Sequence, residues 1–163
     1  MSEHNKLTGP HYGLAAIQHA ALRNCLGNRC LNVPTTTLEA GDKNDIETQS
    51  VAIIFSIGGK NYSASALADE NVTNTDFYGD DPIQAKGTTC YYAICIASDD
   101  TITGYKGQDD GDMPAHPADL CCFCVIKVVT TSAVTFELGV TDYDAANVTS
   151  SFTDVSFLPL TAP

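Results

Sequence analysis

Residues 51–67 read VAIIFSIGGKNYSASAL. An apolar, β-branched run reaches Gly58-Gly59, and a lighter run of alternating polar and small residues returns from it. Adjacent glycines between two such runs predict a tight hairpin, because both turn positions favour positive φ and glycine meets no Cβ penalty there. The near-continuous apolarity of Ser50 to Ile57 predicts a strand buried on both faces, and Lys60 to Leu67 is its partner.

The same grammar repeats toward the C-terminus. Cys90 to Ser98 (CYYAICIAS) is a second strand, Asp99-Asp100 a turn and Thr101 to Tyr105 the return. GQDDGDMPAHPAD, 107–119, is an exposed loop stiffened by Pro114 and Pro117. Leu120 to Thr130 is a third strand, Thr131-Ser132-Ala133 its turn and Val134 to Val140 the expected partner. Residues 69–88 are polar, with Gly79, Pro82 and Gly87, and read as a long loop suited to contact. Ser151 to Leu158 is a last edge strand, ended by Pro159. Short strands joined by tight turns make a sandwich or barrel, so the fold class is mainly β.

Toward the N-terminus the pattern changes. Residues 1–11 are polar and contain Gly9-Pro10, which predicts an extended arm. Leu14, Ile17, Ala21, Leu22 and Cys25 recur at three- and four-residue spacings, a short helix stopped at Gly27 and Asn28. Thr35, Thr36 and Thr37 suit an edge strand or extended linker. The division is therefore an arm, helix and linker over 1–47 and a β-domain over 48–163.

The 163 residues are 44% apolar, enough for a core. No apolar run approaches the roughly 18–20 residues of a membrane span. Eight basic residues against 20 acidic ones give a net charge of −12. That field repels nucleic acid and anionic lipid and confers solubility, or attraction to a basic surface. The polar start MSEHNKLTGPHYG lacks the features of a secretory signal, which predicts synthesis in the cytosol. Seven cysteines, an odd number, then read mainly as core thiols. Cys25 and Cys30 are the better disulfide candidates, since the segment between them can turn.

Catalytic patterns are hard to find. Strand alternation puts Cys122 and Cys124 on one face and Cys121 on the other, and separates Cys90 from Cys95, so no zinc knuckle arises. His116 is the only histidine beyond residue 19 and sits in a proline-bounded loop, with nothing to place it beside a thiol. Asp99, Asp100, Asp109, Asp110, Asp112 and Asp119 form an acidic strip whose spacing differs from a calcium loop. Phosphate-binding glycine patterns are missing, and so is tryptophan. The expectation is a non-enzymatic chain with no cofactor.

The runs AIIFSIGGKNYSASA, CYYAICIASDDTITGYKGQDDG, MPAHPADLCCFCVIKVVTTSAVTFELGVTDYDAANVT and SFTDVSFLP resemble the head decoration, or cement, proteins of tailed bacteriophages over residues 51–159. The resemblance implies a jelly-roll-like or related β-sandwich, trimeric, on the outer surface of the virion. It implies the major capsid protein and further copies of the chain as partners, and an N-terminal arm reaching over neighbours. In that setting Leu7, Tyr12, Leu14 and Ile17 would anchor the arm or helix, and Phe77 and Tyr78 would meet a neighbour from the long loop. A receptor-binding or adhesin-like β module of a head or tail fibre is the alternative.

Overall fold

The computed structural model describes residues 27–72, 82–111, 113–114 and 118–156. The arm, the helix expected within 14–25, and the candidates Leu7, Tyr12, Leu14, Ile17, Cys25, Phe77 and Tyr78 lie outside the described residues.

The chain is mainly β, with no helix among the described residues. Its strands are β1 (Arg29–Cys30), β2 (Thr37–Leu38), β3 (Ile46–Glu47), β4 (Ile53–Ile57), β5 (Lys60–Ala64), β6 (Ile83–Gln84), β7 (Thr89–Ile96), β8 (Ile102–Lys106), β9 (Cys121–Thr130), β10 (Phe136–Glu137) and β11 (Val148–Asp154). A four-stranded antiparallel sheet, ordered β11-β9-β7-β8, faces a three-stranded sheet, β1-β4-β5. Strands β1 and β4 pack on β9. Between the sheets lies one core that includes Ile53, Phe55, Tyr92, Ile94, Phe123 and Ile126. Two short pairs, β2-β3 and β10-β6, close its margins.

The Gly58-Gly59 hairpin forms as the sequence requires: φ is 57° and 79° at the two glycines, and β4 pairs with β5 from Ile53↔Ala64 to Ile57↔Lys60. Phe55 and Tyr62, directly opposite, stack with ring centroids 5.4 Å apart. The Asp99-Asp100 hairpin forms too, with Asp100 at φ 68° and β7 paired to β8. Asparagine and aspartate tolerate that conformation better than most residues.

Three expectations are corrected. Strand β4 is not buried on both faces: Ile53 and Phe55 are inside, while Ile54 is exposed. The segment 134–140 does not return onto β9. Phe136–Glu137 pairs instead with β6, a short strand inside the stretch read as a long loop, and β11 takes the place beside β9, with Val148↔Thr130 through Asp154↔Cys124. Before residue 48, Arg29–Cys30 pairs with Ser56 and Phe55 and adds a strand to the β4-β5 sheet. Cys122 and Cys124 do not share a face. The ladder runs Ile94↔Cys124 and then Cys95↔Cys122, so Phe123 is an extra residue in β9. Such a bulge inverts the alternation on one side of itself. Cys121, Phe123 and Cys124 all enter the main core, while Cys122 packs with Cys95 on the opposite face. The expected separation of Cys90 from Cys95 holds.

Candidate interaction surface

The first described residues are held to the β-body by side chains that imitate strand pairing. Asn28 accepts from Gly58 N–H (2.9 Å) and donates to the carbonyls of Leu120 (2.9 Å) and Ala118. Ser56 donates its hydroxyl to the Gly27 carbonyl at 2.6 Å. Asn32 donates to Ala52 O (2.7 Å) and accepts from Ile54 N–H (2.9 Å). The bonds to β4 and its turn extend the β1–β4 pairing beyond both ends of β1. The carboxylate of Asp154, at the end of β11, accepts from Thr35 N–H (2.9 Å) and Thr36 N–H (3.0 Å). Thr35 has φ 62°, a costly conformation for a β-branched residue. Its amide is one of the two that the Asp154 carboxylate binds.

This fastening presents an apolar strip. Leu31 N–H donates to Ile54 O at 2.6 Å, which continues the register Cys30↔Phe55 by one residue. Cys30 and Phe55 point into the core, so Leu31 and Ile54, next along the ladder, point outward. They are 37% and 43% exposed, and Val33 and Val155 nearby are 42% and 40% exposed. Val155 precedes Ser156, which bridges Cys30 in parallel. The surface therefore carries branched aliphatic side chains around β1, the first strand to follow residues 1–26. None of these four residues stood out in the sequence. Ile54 was hidden in a run that is apolar on both faces, and Leu31, Val33 and Val155 are single aliphatic residues among polar neighbours.

The acidic strip is put to structural use. Asp109 meets the Lys106 ammonium at 2.9 Å and accepts from Ala85 N–H at 2.8 Å. Asp110 accepts from Thr89 N–H at 2.7 Å, and Asp99 from Thr101 N–H at 3.2 Å. These carboxylates fix loop backbones and do not converge. Among the described residues no three or more acidic, histidine or cysteine side chains gather as a metal site. Asp112 and His116 lie outside the described residues.

Four of the buried thiols are correspondingly quiet. Six cysteines among the described residues are free, and five of these are buried. Burial pushes Cys30 and Cys90 up to about 11 and Cys121 and Cys124 up to about 12. Such groups are protonated, poor nucleophiles at neutral pH. Cys30 packs its sulfur 3.2 Å from the Asn32 carbonyl, and Cys25, its expected disulfide partner, is outside the described residues. No helix among the described residues is long and apolar enough to cross a membrane. No protein family, curated protein or solved structure matches the chain.

Proposed function

We propose that the chain is a structural virion protein: a trimeric decoration, or cement, protein that binds the outer surface of a tailed-phage capsid and stabilises it by bridging capsid subunits. The observation that carries this reading is the exposed aliphatic strip of Leu31, Ile54, Val33 and Val155 around β1, the strand that follows the N-terminal segment. The root of that segment is fastened by Asn28, Asn32, Ser56 and Asp154. A segment that binds a neighbour transmits load to the β-body only if its root is anchored, and these side chains supply the anchor.

Burial of the strip stabilises a contact by roughly 25 cal/mol per Å², less the cost of ordering and association. Threefold symmetry multiplies modest contacts into persistent binding. A net charge of −12 complements a basic capsid patch and steers encounter with it.

The test uses capsids of the encoding phage stripped of their decoration protein. The full chain should co-sediment with them, and light scattering should give about three times the 17.3 kDa chain mass. Removing residues 1–20, or Ile54→Asp in the strip, should weaken capsid binding and leave the β-sheet circular dichroism intact. A chain that stays with the supernatant at every concentration overturns the proposal. Binding to a glycan instead would favour the adhesin-like alternative.

A further inference from the structure

Strand β7 and strand β9 each place a cysteine at the edge of the bulge. Cys95 and Cys122 are direct partners in the antiparallel ladder. Directly opposed residues in such a ladder have Cα atoms about 4.5–5.5 Å apart, inside the roughly 4.4–6.8 Å span of a disulfide. Both side chains lie on the sheet face away from the main core, with Ala93, Tyr105 and Leu120.

No other described pair meets these conditions. Cys124 is opposite Ile94, Cys121 opposite Ile96 and Cys90 opposite Val128. Cys30 on β1 and Cys121 on β9 share the core but belong to different sheets and are not ladder partners.

We propose that Cys95 and Cys122 are an oxidant-sensitive modification site at which a peroxide converts the two thiols into a disulfide stapling β7 to β9. Cys122 is half-buried and Cys95 fully buried, so the oxidant meets Cys122 first. The Cys122 thiolate attacks a peroxide oxygen; the O–O bond breaks, Cys122 becomes a sulfenic acid, and hydroxide leaves and takes up a proton. The Cys95 sulfur then attacks the Cys122 sulfur, the S–O bond breaks, and a second water leaves with the Cys95 proton. One hydrogen peroxide and two thiols give one disulfide and two waters, and an exogenous dithiol reverses the change. The environment of the pair suits these roles. Cys122 accepts a hydrogen bond from the Cys95 thiol, which draws its pKa down, while the same bond and burial push that of Cys95 up.

The experiment treats the reduced full chain with dilute hydrogen peroxide at neutral pH, followed by intact mass and tryptic mapping. Lys106 lies between the two cysteines in sequence, so cleavage there leaves two peptides joined only by the disulfide, and fragment spectra assign its sulfurs. The expected product is monomeric, lighter by two hydrogen atoms, linked Cys95 to Cys122, and higher in Tm by roughly 5–10 °C, a shift reversed by dithiothreitol. Cys122→Ser should lose both the link and the Tm rise. Cys95→Ala should leave Cys122 to progress to sulfinic acid. If either variant fails to fold, the wild-type map decides alone. A link between any other pair, a disulfide-joined dimer, or wild-type Cys122 reaching sulfinic acid while Cys95 stays reduced would each overturn the proposal.

Discussion

Gly139 presses against the carbonyl oxygen of Val72: a Cβ at position 139 would lie 2.7 Å from that oxygen and 2.9 Å from Oδ1 of Asn71. The Gly139 carbonyl also accepts from the side chains of Asn44 and Asn71, each at 2.9 Å. The contact locks the β2–β3 margin to the loop after β10. Gly139 has φ 74°, so a side chain there is strained as well as crowded. Gly139→Ala is expected to cost about 3 kcal/mol or more, the sum of about 1–2 kcal/mol for the left-handed conformation and the rest for backbone crowding. Gly59 supplies the control, with φ 79° and nothing within 4 Å of an added Cβ. Gly59→Ala should show the conformational cost alone. Equal losses in urea unfolding for the two variants would refute the crowding at Gly139.

Gln84 is a second tight joint, polar where the first is steric. It is fully buried, donates to Thr88 O (2.9 Å) and Val128 O (3.2 Å), and accepts from the Tyr92 hydroxyl (3.2 Å). Every hydrogen-bonding group of the amide is directed, as burial demands. Gln84→Met keeps the volume but strands the Tyr92 hydroxyl and removes a donor from two carbonyls, an expected loss of about 2–3 kcal/mol. Gln84→Glu places an acceptor-only carboxylate against those carbonyls and should cost more. Thermal unfolding that ranks Glu at or above Met would show that the amide donors are not what the site needs.

Local chemistry was legible in the sequence, and pairing over distance was not. Gly58-Gly59 and Asp99-Asp100 announce their hairpins because turn and both strands are contiguous. The partner of β9 is a choice between 134–140 and 148–154, two segments of similar β-branched character. The alternation of Val134, Phe136 and Leu138 fits either arrangement. Phe136 is buried in both, here against Tyr92 and Tyr143 with centroids 5.6 and 5.7 Å away. The bulge that reassigns Cys122 leaves no mark in composition, since Cys-Cys-Phe-Cys is apolar at every position. A two-residue strand such as β6 is too short for any periodicity. Of the surface strip, neither Leu31 nor Ile54 is identifiable until β1 is seen to pair with β4.

Tyr143 offers the opposite case to Gln84. Its ring is buried between Phe136 and Phe152, and its hydroxyl has no hydrogen-bond partner among the described residues. A buried, unpaired hydroxyl is a cost. Tyr143→Phe keeps the ring contacts and removes the stranded oxygen, so it should be neutral or stabilising by up to about 1 kcal/mol. Tyr143→Ala should lose about 3–5 kcal/mol with the ring itself. A loss above about 1.5 kcal/mol for the phenylalanine variant would mean that the hydroxyl is satisfied.

The buried thiols set an alkaline limit on the fold. Burial raises Cys30 and Cys90 to about 11 and Cys121 and Cys124 to about 12, from an ordinary value of 9.0. Below pH 9 both folded and unfolded chains hold these four protons, and these four thiols contribute no pH dependence. Between about 9 and 12 the unfolded chain releases protons that the folded chain keeps, so unfolding is favoured and stability falls with rising pH. The reduced protein should therefore show a Tm that declines with increasing steepness above about pH 9. Burial also raises Tyr92 and Tyr143, which extends the decline to higher pH with the same sign. Cys124→Ala removes one of the titrating groups and should lower Tm at pH 7 yet shallow the alkaline slope. A Tm that holds level through pH 10.5, or a slope unchanged by that substitution, would show that the thiol protons do not carry the linkage.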